Sequence, residues 1–293
     1  MILRDRPRFL ELFLITRGSV VPRIAPNILA TAAWAVVILL ADRFLAPMPR
    51  LSLTAMGIFG LALSLFLGFR NNAAYDRWWE ARRIWGRMVS DLRSFGQELT
   101  AFGASDEDRA YILSHIVSFH HLHRAALRGD NVAEDVARWT PDAPADPDAA
   151  LRHIATRLAD MARAGQIDGF GQKALTERLA AFATAQAANE RLANTPLPFV
   201  YSLLVQRTTW LYCLLIPFGL LDSAGWFEPL VAAIVAYVFF GLSEVTHELE
   251  QPFSTQPNAI PLAALCRVME ISASHALGRK APPPLAPTDH VLS

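Results

Sequence analysis

Four long runs of apolar positions interrupt a chain that otherwise repeats with a helical rhythm. The first covers residues 28–40, with a weaker extension to 46; Pro26 precedes it, and Pro47 and Pro49 follow. The second covers 53–69. The third covers 199–221 and is broken by Gln206 and Arg207, and the fourth starts at 227 and ends at Glu244. A bilayer crossing needs roughly 17–25 predominantly apolar residues. The runs therefore predict membrane spans over 28–46, 53–69, 199–221 and 227–244. The second and fourth are apolar on every face, unlike the surface helix of a soluble protein, which is polar on one side. No stretch alternates with period two, so the expected fold class is all-α, with four transmembrane helices and a helical cytoplasmic part.

That part occupies residues 70–198 and 252–280. Gly103, Gly129, Gly165 and Gly169 and the prolines of 141–147 cut the first stretch into separate helices. Asp106-Glu107-Asp108 opens one of them with negative charge, which suits the dipole of a helix N-terminus. No proline interrupts 69–95, so the second span is expected to run on as one helix of roughly 40 residues, well past a bilayer at 1.5 Å per residue. Residues 281–293 are proline-rich and read as a flexible tail. A short amphipathic helix is expected over 9–15. It is not a signal peptide, because Glu11 breaks the apolar run and no small-residue cleavage site follows.

Composition sharpens this picture. Of the 293 residues, 53% are hydrophobic and 18% charged, below the roughly 25% charge of soluble domains. The mean hydropathy is +0.25. The formal net charge of zero leaves no basic footprint for nucleic acid. Cys213 and Cys266 fit no metal or redox spacing. Arginine placement orients the spans. Arg4, Arg6, Arg8, Arg17 and Arg23 precede the first span, and Arg70, Arg77, Arg82, Arg83, Arg87 and Arg93 follow the second, whereas the 222–228 connection holds no Lys or Arg. By the positive-inside rule both termini and the long central region face the cytoplasm.

Three blocks carry a family resemblance. The stretch from Ser64 to Arg83, with Gly68-Phe69-Arg70-Asn71-Asn72 followed by Arg77-Trp78-Trp79-Glu80, resembles the second transmembrane helix of the bestrophin family and its cytoplasmic continuation, in its bacterial form. Asn194-Thr195-Pro196-Leu197-Pro198-Phe199 resembles the lead-in to that family's third span, and Glu250-Gln251-Pro252-Phe253 the motif after its fourth. The blocks fall in the family's order within residues 5–275. The resemblance implies one channel domain over 1–293, a homopentamer around a central pore in the lipid bilayer, and small monovalent ions as the permeant species. It implies an apolar neck at Leu61, Leu65 and Phe69, and a second constriction at the cytoplasmic mouth, for which Leu197 is the candidate. Independently, the three neck positions stand at i, i+4 and i+8 on one helix face, and Gly57, Ala62 and Gly68 offer small surfaces for close helix contact.

Animal and plant members pass chloride and similar anions, and animal members carry a middle neck phenylalanine, whose ring edge favours anions. Here the position is Leu65, and characterised bacterial relatives pass monovalent cations, so cation conduction is the favoured expectation and a chloride or anion channel the alternative. Animal members are calcium-gated through an acidic run after the Pro-Phe motif. The corresponding residues 254–259 hold no carboxylate, which leaves a poor set of ligands for a hard cation.

Other constellations point to little chemistry. His115, His120, His121 and His123 are the densest titratable cluster, but no carboxylate or cysteine stands beside them in sequence, so no metal or cofactor is expected. Arg207 lies inside the third span, where it reads equally as lining an aqueous vestibule or as pairing with Glu244, His247 or Glu248 at the end of span four. Trp78 and Trp79 read as helix-packing groups, with membrane-interface anchors the alternative. No phosphate loop, nucleophile elbow or zinc-protease motif occurs, so an enzyme is not expected. A transporter, the remaining alternative, would show an internal repeat, and spans one and two do not resemble three and four.

Overall fold

The computed structural model describes residues 1–4, 9, 15 and 18–292. Most of the amphipathic helix expected over 9–15 lies outside the described residues. The described residues are helical, without strands: α1 (Val21–Phe44), α2 (Leu53–Ala101), α3 (Asp106–Arg128), α4 (Ala133–Ala137), α5 (Pro147–Arg163), α6 (Gly169–Asn194), α7 (Phe199–Leu220), a 3-10 turn (Gly225–Phe227), α8 (Glu228–Glu250) and α9 (Leu262–Ala276). Four of these, α1, α2, α7 and α8, are long and apolar enough to cross a membrane. The chain divides into two compact units, one formed by residues 5–78 and 196–251 and the other by 1–4, 79–195 and 252–293.

The first unit holds α1, the start of α2, α7 and α8. Its core joins Ala35, Met56, Leu63, Leu67, Val205, Tyr212, Ile216 and Ala232, and a second cluster joins Ile24, Cys213, Ala236 and Phe240. The alanines let backbones approach closely, which is how helices associate in lipid. The sharpest close approach falls at Gly60, where an added Cβ would lie 2.7 Å from the Tyr212 hydroxyl. Gly57 and Gly68, expected to supply such contacts, meet nothing within 4 Å, and Ala62 is exposed. Their small surfaces lie on an open face rather than in this core.

Two span boundaries move. α1 starts at Val21 instead of 28 and carries Pro26 inside it. Proline disfavours a helix interior, yet packing against α8 holds the early turns: Ile24 is buried, and Arg23 donates to Glu244 at 3.1 Å and Glu248 at 2.5 Å. The same bonds carry α8 past 244 to Glu250, since the carboxylates that looked like a polar end are partnered.

The second unit is capped as its turn residues predict. Ser105 accepts from the Asp108 amide at the start of α3, and Gly129 closes that helix at φ +77, a left-handed conformation glycine adopts without strain. Asp146 and Asp168 cap α5 and α6. The core is built on Trp85, Phe95, Phe119 and Phe182, all fully buried. After α9 the chain is extended, and its end returns to its beginning: Ile2 and Val291 form an antiparallel bridge, and the Leu3 amide donates to the His290 carbonyl at 2.9 Å.

Candidate pore-lining face and its supports

α2 presents two faces in the membrane-spanning unit. Met56, Leu63 and Leu67 are no more than 5% exposed, whereas Leu61, Leu65 and Phe69 are 62%, 54% and 69% exposed. The three candidate neck residues thus share one open, apolar stripe. One and two further turns along, the stripe becomes polar at Asn72 and Asp76, both exposed. Sequence reasoning passed over these two, although the same 3- and 4-residue spacing leads to them. Behind the stripe, Phe59 packs edge-on against Tyr212 with centroids 5.3 Å apart, which fixes the helix from its buried side.

Directly after Phe69 comes a buried ion pair that sequence reasoning also missed. The Arg70 guanidinium donates to the Glu250 carboxylate at 2.8 and 2.9 Å, with the two side chains 6% and 12% exposed. Arg77 donates to the Glu250 backbone carbonyl at 2.9 Å. The pair unites two of the motifs read from the sequence, Phe69-Arg70-Asn71-Asn72 and Glu250-Gln251-Pro252-Phe253. It was hidden because its members lie 180 positions apart.

Leu197 is half-buried in the link between α6 and α7, outside the α2 stripe. Arg207 does not find its expected partners. Glu244 and Glu248 are bound by Arg23, His247 lies 3.9 Å from Glu250, and Arg207 is exposed on α7. Trp78 is half-buried and Trp79 44% exposed.

In the second unit, the turn after Pro252-Phe253 is already occupied by a cation. Arg128 donates to the Phe253 carbonyl at 2.9 Å and to the Ile260 carbonyl at 2.7 Å. Backbone carbonyls are what a hard metal ion would need in a loop without carboxylates, and here the guanidinium takes two of them.

The histidines of α3 separate into two kinds. His120 and His123 are fully buried. His120 donates to the Ile116 carbonyl at 2.6 Å and meets Phe182 edge-on. His123 stacks on Trp85 and Phe119. Burial pushes His120 down to about 3 and His123 down to about 4, so both are neutral core groups at physiological pH. His121 instead meets Glu270 of α9 at 2.9 Å and Asp135 of α4 at 3.7 Å. The absence of nearby carboxylates in the sequence is therefore reversed by the fold, which brings three donors to within 4.8 Å of one another. Both carboxylates are also held by arginines, Asp135 by Arg124 at 3.0 Å and Glu270 by Arg267 at 2.9 Å, so the cluster is a charge-compensated network joining α3, α4 and α9. Cys213 and Cys266 are both buried and free, and burial pushes the Cys266 thiol up to about 12.

Comparison with known proteins bears on the whole arrangement. The family described as bacterial/fungal bestrophin protein matches residues 1–275. A voltage-dependent anion channel-forming protein of Mesorhizobium japonicum is 44% identical over 298 residues, covering 99% of this chain and 96% of that protein. The voltage-dependent anion channel-forming protein YneE of Escherichia coli K12 is 31% identical, covering 92% of each. The crystal structure of a bacterial bestrophin homologue from Klebsiella pneumoniae superposes with a TM-score of 0.83 at 28% identity, covering 88% of this chain and 99% of that one.

Proposed function

The chain belongs to the bacterial/fungal bestrophin family, and from that membership we propose that it is the subunit of a homopentameric channel that passes small monovalent ions down their gradient. It is a multi-pass membrane protein; residues 1–293 act as one channel subunit, set in the bacterial inner membrane with both termini cytoplasmic, as the arginine distribution supports. The observation that carries the channel reading is the α2 stripe. Leu61, Leu65 and Phe69 are exposed on a helix whose other face is buried, and the same stripe leads on to exposed polar residues. A ring of copies would turn the three positions into stacked apolar constrictions, which ions cross only when the pore wets or widens. Leu197 is the proposed second constriction.

Cation conduction is the favoured reading, because Leu65 lacks an aromatic edge and Asp76 would add a ring of carboxylates to the lining, a cation-selecting device. The anion reading is favoured by the relatives, whose names describe anion channel-forming proteins, and by Phe69. Conduction is proposed to be independent of calcium, since Arg128 already binds the carbonyls of the turn after Phe253.

The test is planar-bilayer recording in asymmetric salt, in chelator and in calcium. The parent is expected to conduct in chelator and to reverse on the cation side. Leu61→Ala, Leu65→Ala and Phe69→Ala should each raise conductance or open probability, and Leu65→Phe should shift the reversal potential toward anions. Three alanine variants that assemble and behave like the parent would remove α2 from the pore.

A further inference from the structure

α7 carries a charge that the pore does not use. Arg207 stands eight residues in from Phe199, about 12 Å along the helix at 1.5 Å per residue. It is exposed, and no carboxylate among the described residues pairs with it, because Arg23 holds Glu244 and Glu248 and Arg70 holds Glu250. It lines a groove of about 380 Å³ together with Leu203, Gln206, Trp210, Leu211 and Leu214. These positions recur at spacings of three and four and so form one face of α7. Trp210 is held in place edge-on to Phe240, with centroids 4.9 Å apart.

An arginine inside a span needs an anion or water. Side chains on a helix lean toward its N-terminus, so the Arg207 guanidinium is led back over the Leu203 turn toward the start of α7. In the proposed orientation that end lies at the cytoplasmic surface of the membrane, where lipid phosphates lie. A guanidinium offers phosphate two parallel donors. No carboxylate among the described residues lines the groove to repel an anion, while Leu211 and Leu214 supply a surface for an acyl chain.

We propose that this face of α7 binds an anionic phospholipid, with the phosphate on Arg207 and an acyl chain along Leu211 and Leu214. The proposal rests on the membrane orientation given above.

The probes are phosphatidylglycerol and phosphatidylcholine of identical acyl chains, added to the purified full-length protein and counted by native mass spectrometry, with inorganic phosphate as a third arm. The parent should retain phosphatidylglycerol over phosphatidylcholine. Arg207→Gln should lower that preference about fivefold, the share expected of one arginine near an anionic surface, and Arg207→Lys should keep most of it. If Arg207→Gln does not assemble, Arg207→Lys decides, since it preserves the charge: loss of the preference there overturns the site. Equal retention of the two lipids by the parent, or an unchanged preference in Arg207→Gln, also overturns it. Thermal stabilisation by inorganic phosphate equal to that by phosphatidylglycerol would assign the arginine to a free anion. Dissociation of the Arg207→Gln assembly with lipid preference intact would assign it to a carboxylate of a second copy. Bilayer current from the same preparation separates the two readings. A parent that conducts without lipid preference loses only the lipid site, and one that retains the lipid without current loses only the channel.

Discussion

The two units of this chain both bury paired charges, but only one adds neutral histidines to its core. In the membrane-spanning unit the outside is apolar, with Leu29, Val37, Phe199 and Leu230 all more than half exposed; the buried Arg70 is matched by Glu250 and the exposed Arg23 holds Glu244 and Glu248, while the buried Glu228 carboxylate accepts no hydrogen bond from the described residues. In the other unit the outside is polar, and the core uses two means: Glu270 and Asp135 are compensated by Arg267 and Arg124, whereas His120 and His123 sit among aromatic rings. Arginine and carboxylate cannot both stay charged and unpaired away from water, so they must find one another. Histidine can shed its charge, so it is buried by neutralisation instead. A buried arginine or carboxylate is therefore a statement about its partner, and a buried histidine among aromatic rings a statement about its protonation state.

The largest effect expected from this comparison is at the buried pair. Glu250→Ala strands the Arg70 guanidinium and should cost about 3–5 kcal/mol, whereas replacing both members with apolar residues of similar size should cost far less. Thermal unfolding of the detergent-solubilised protein compares the two. Equal losses would mean that the pair contributes packing rather than charge compensation.

A smaller loss is expected where helices touch. Gly60→Ala drives a methyl into the Tyr212 hydroxyl and should cost about 1–3 kcal/mol, as overpacking does. Gly57→Ala meets nothing within 4 Å in the subunit and should be neutral or gain from alanine's helix propensity. If Gly57→Ala instead disrupts the oligomer on native gels, the open face of α2 is a contact between subunits.

Acid should act on the other unit. The folded pKa values of His120 and His123 lie below the ordinary value of 6.5, so the unfolded chain binds more protons between about 6.5 and about 4, and stability falls as pH falls through that window. From pH 7 to 6 each histidine should remove about 0.7 kcal/mol. Hydrogen exchange on the whole protein at the two pH values should place the loss in α3 and α6, and His123→Asn should lessen it. A loss confined to α7 and α8 would contradict the assignment.

The smallest expected effect serves as the control. Phe66→Leu alters a residue 53% exposed beside the stripe and should leave conductance and reversal potential near the parent's. A change as large as that of Leu65→Ala would rotate the pore-facing side of α2 toward Phe66.

Much of this architecture could be read along the chain. The four spans, the absence of strands among the described residues, the run-through of α2, the capped start of α3 and the shared face of Leu61, Leu65 and Phe69 all rest on local properties: run length, period and turn chemistry among neighbouring residues. The tertiary structure alone decided which face of α2 is open, since Leu63 and Leu67 are as apolar as Leu61 and Leu65. It alone set the ends of α1 and α8, where Arg23, Glu244 and Glu248 override Pro26 and a polar stretch. It joined Arg70 to Glu250 across 180 positions and His121 to Glu270 across 149, and it left Arg207 without the partners its neighbours suggested. Periodicity records which side of a helix is apolar; it carries no record of which distant element will cover that side, or which distant charge will meet a charge placed there.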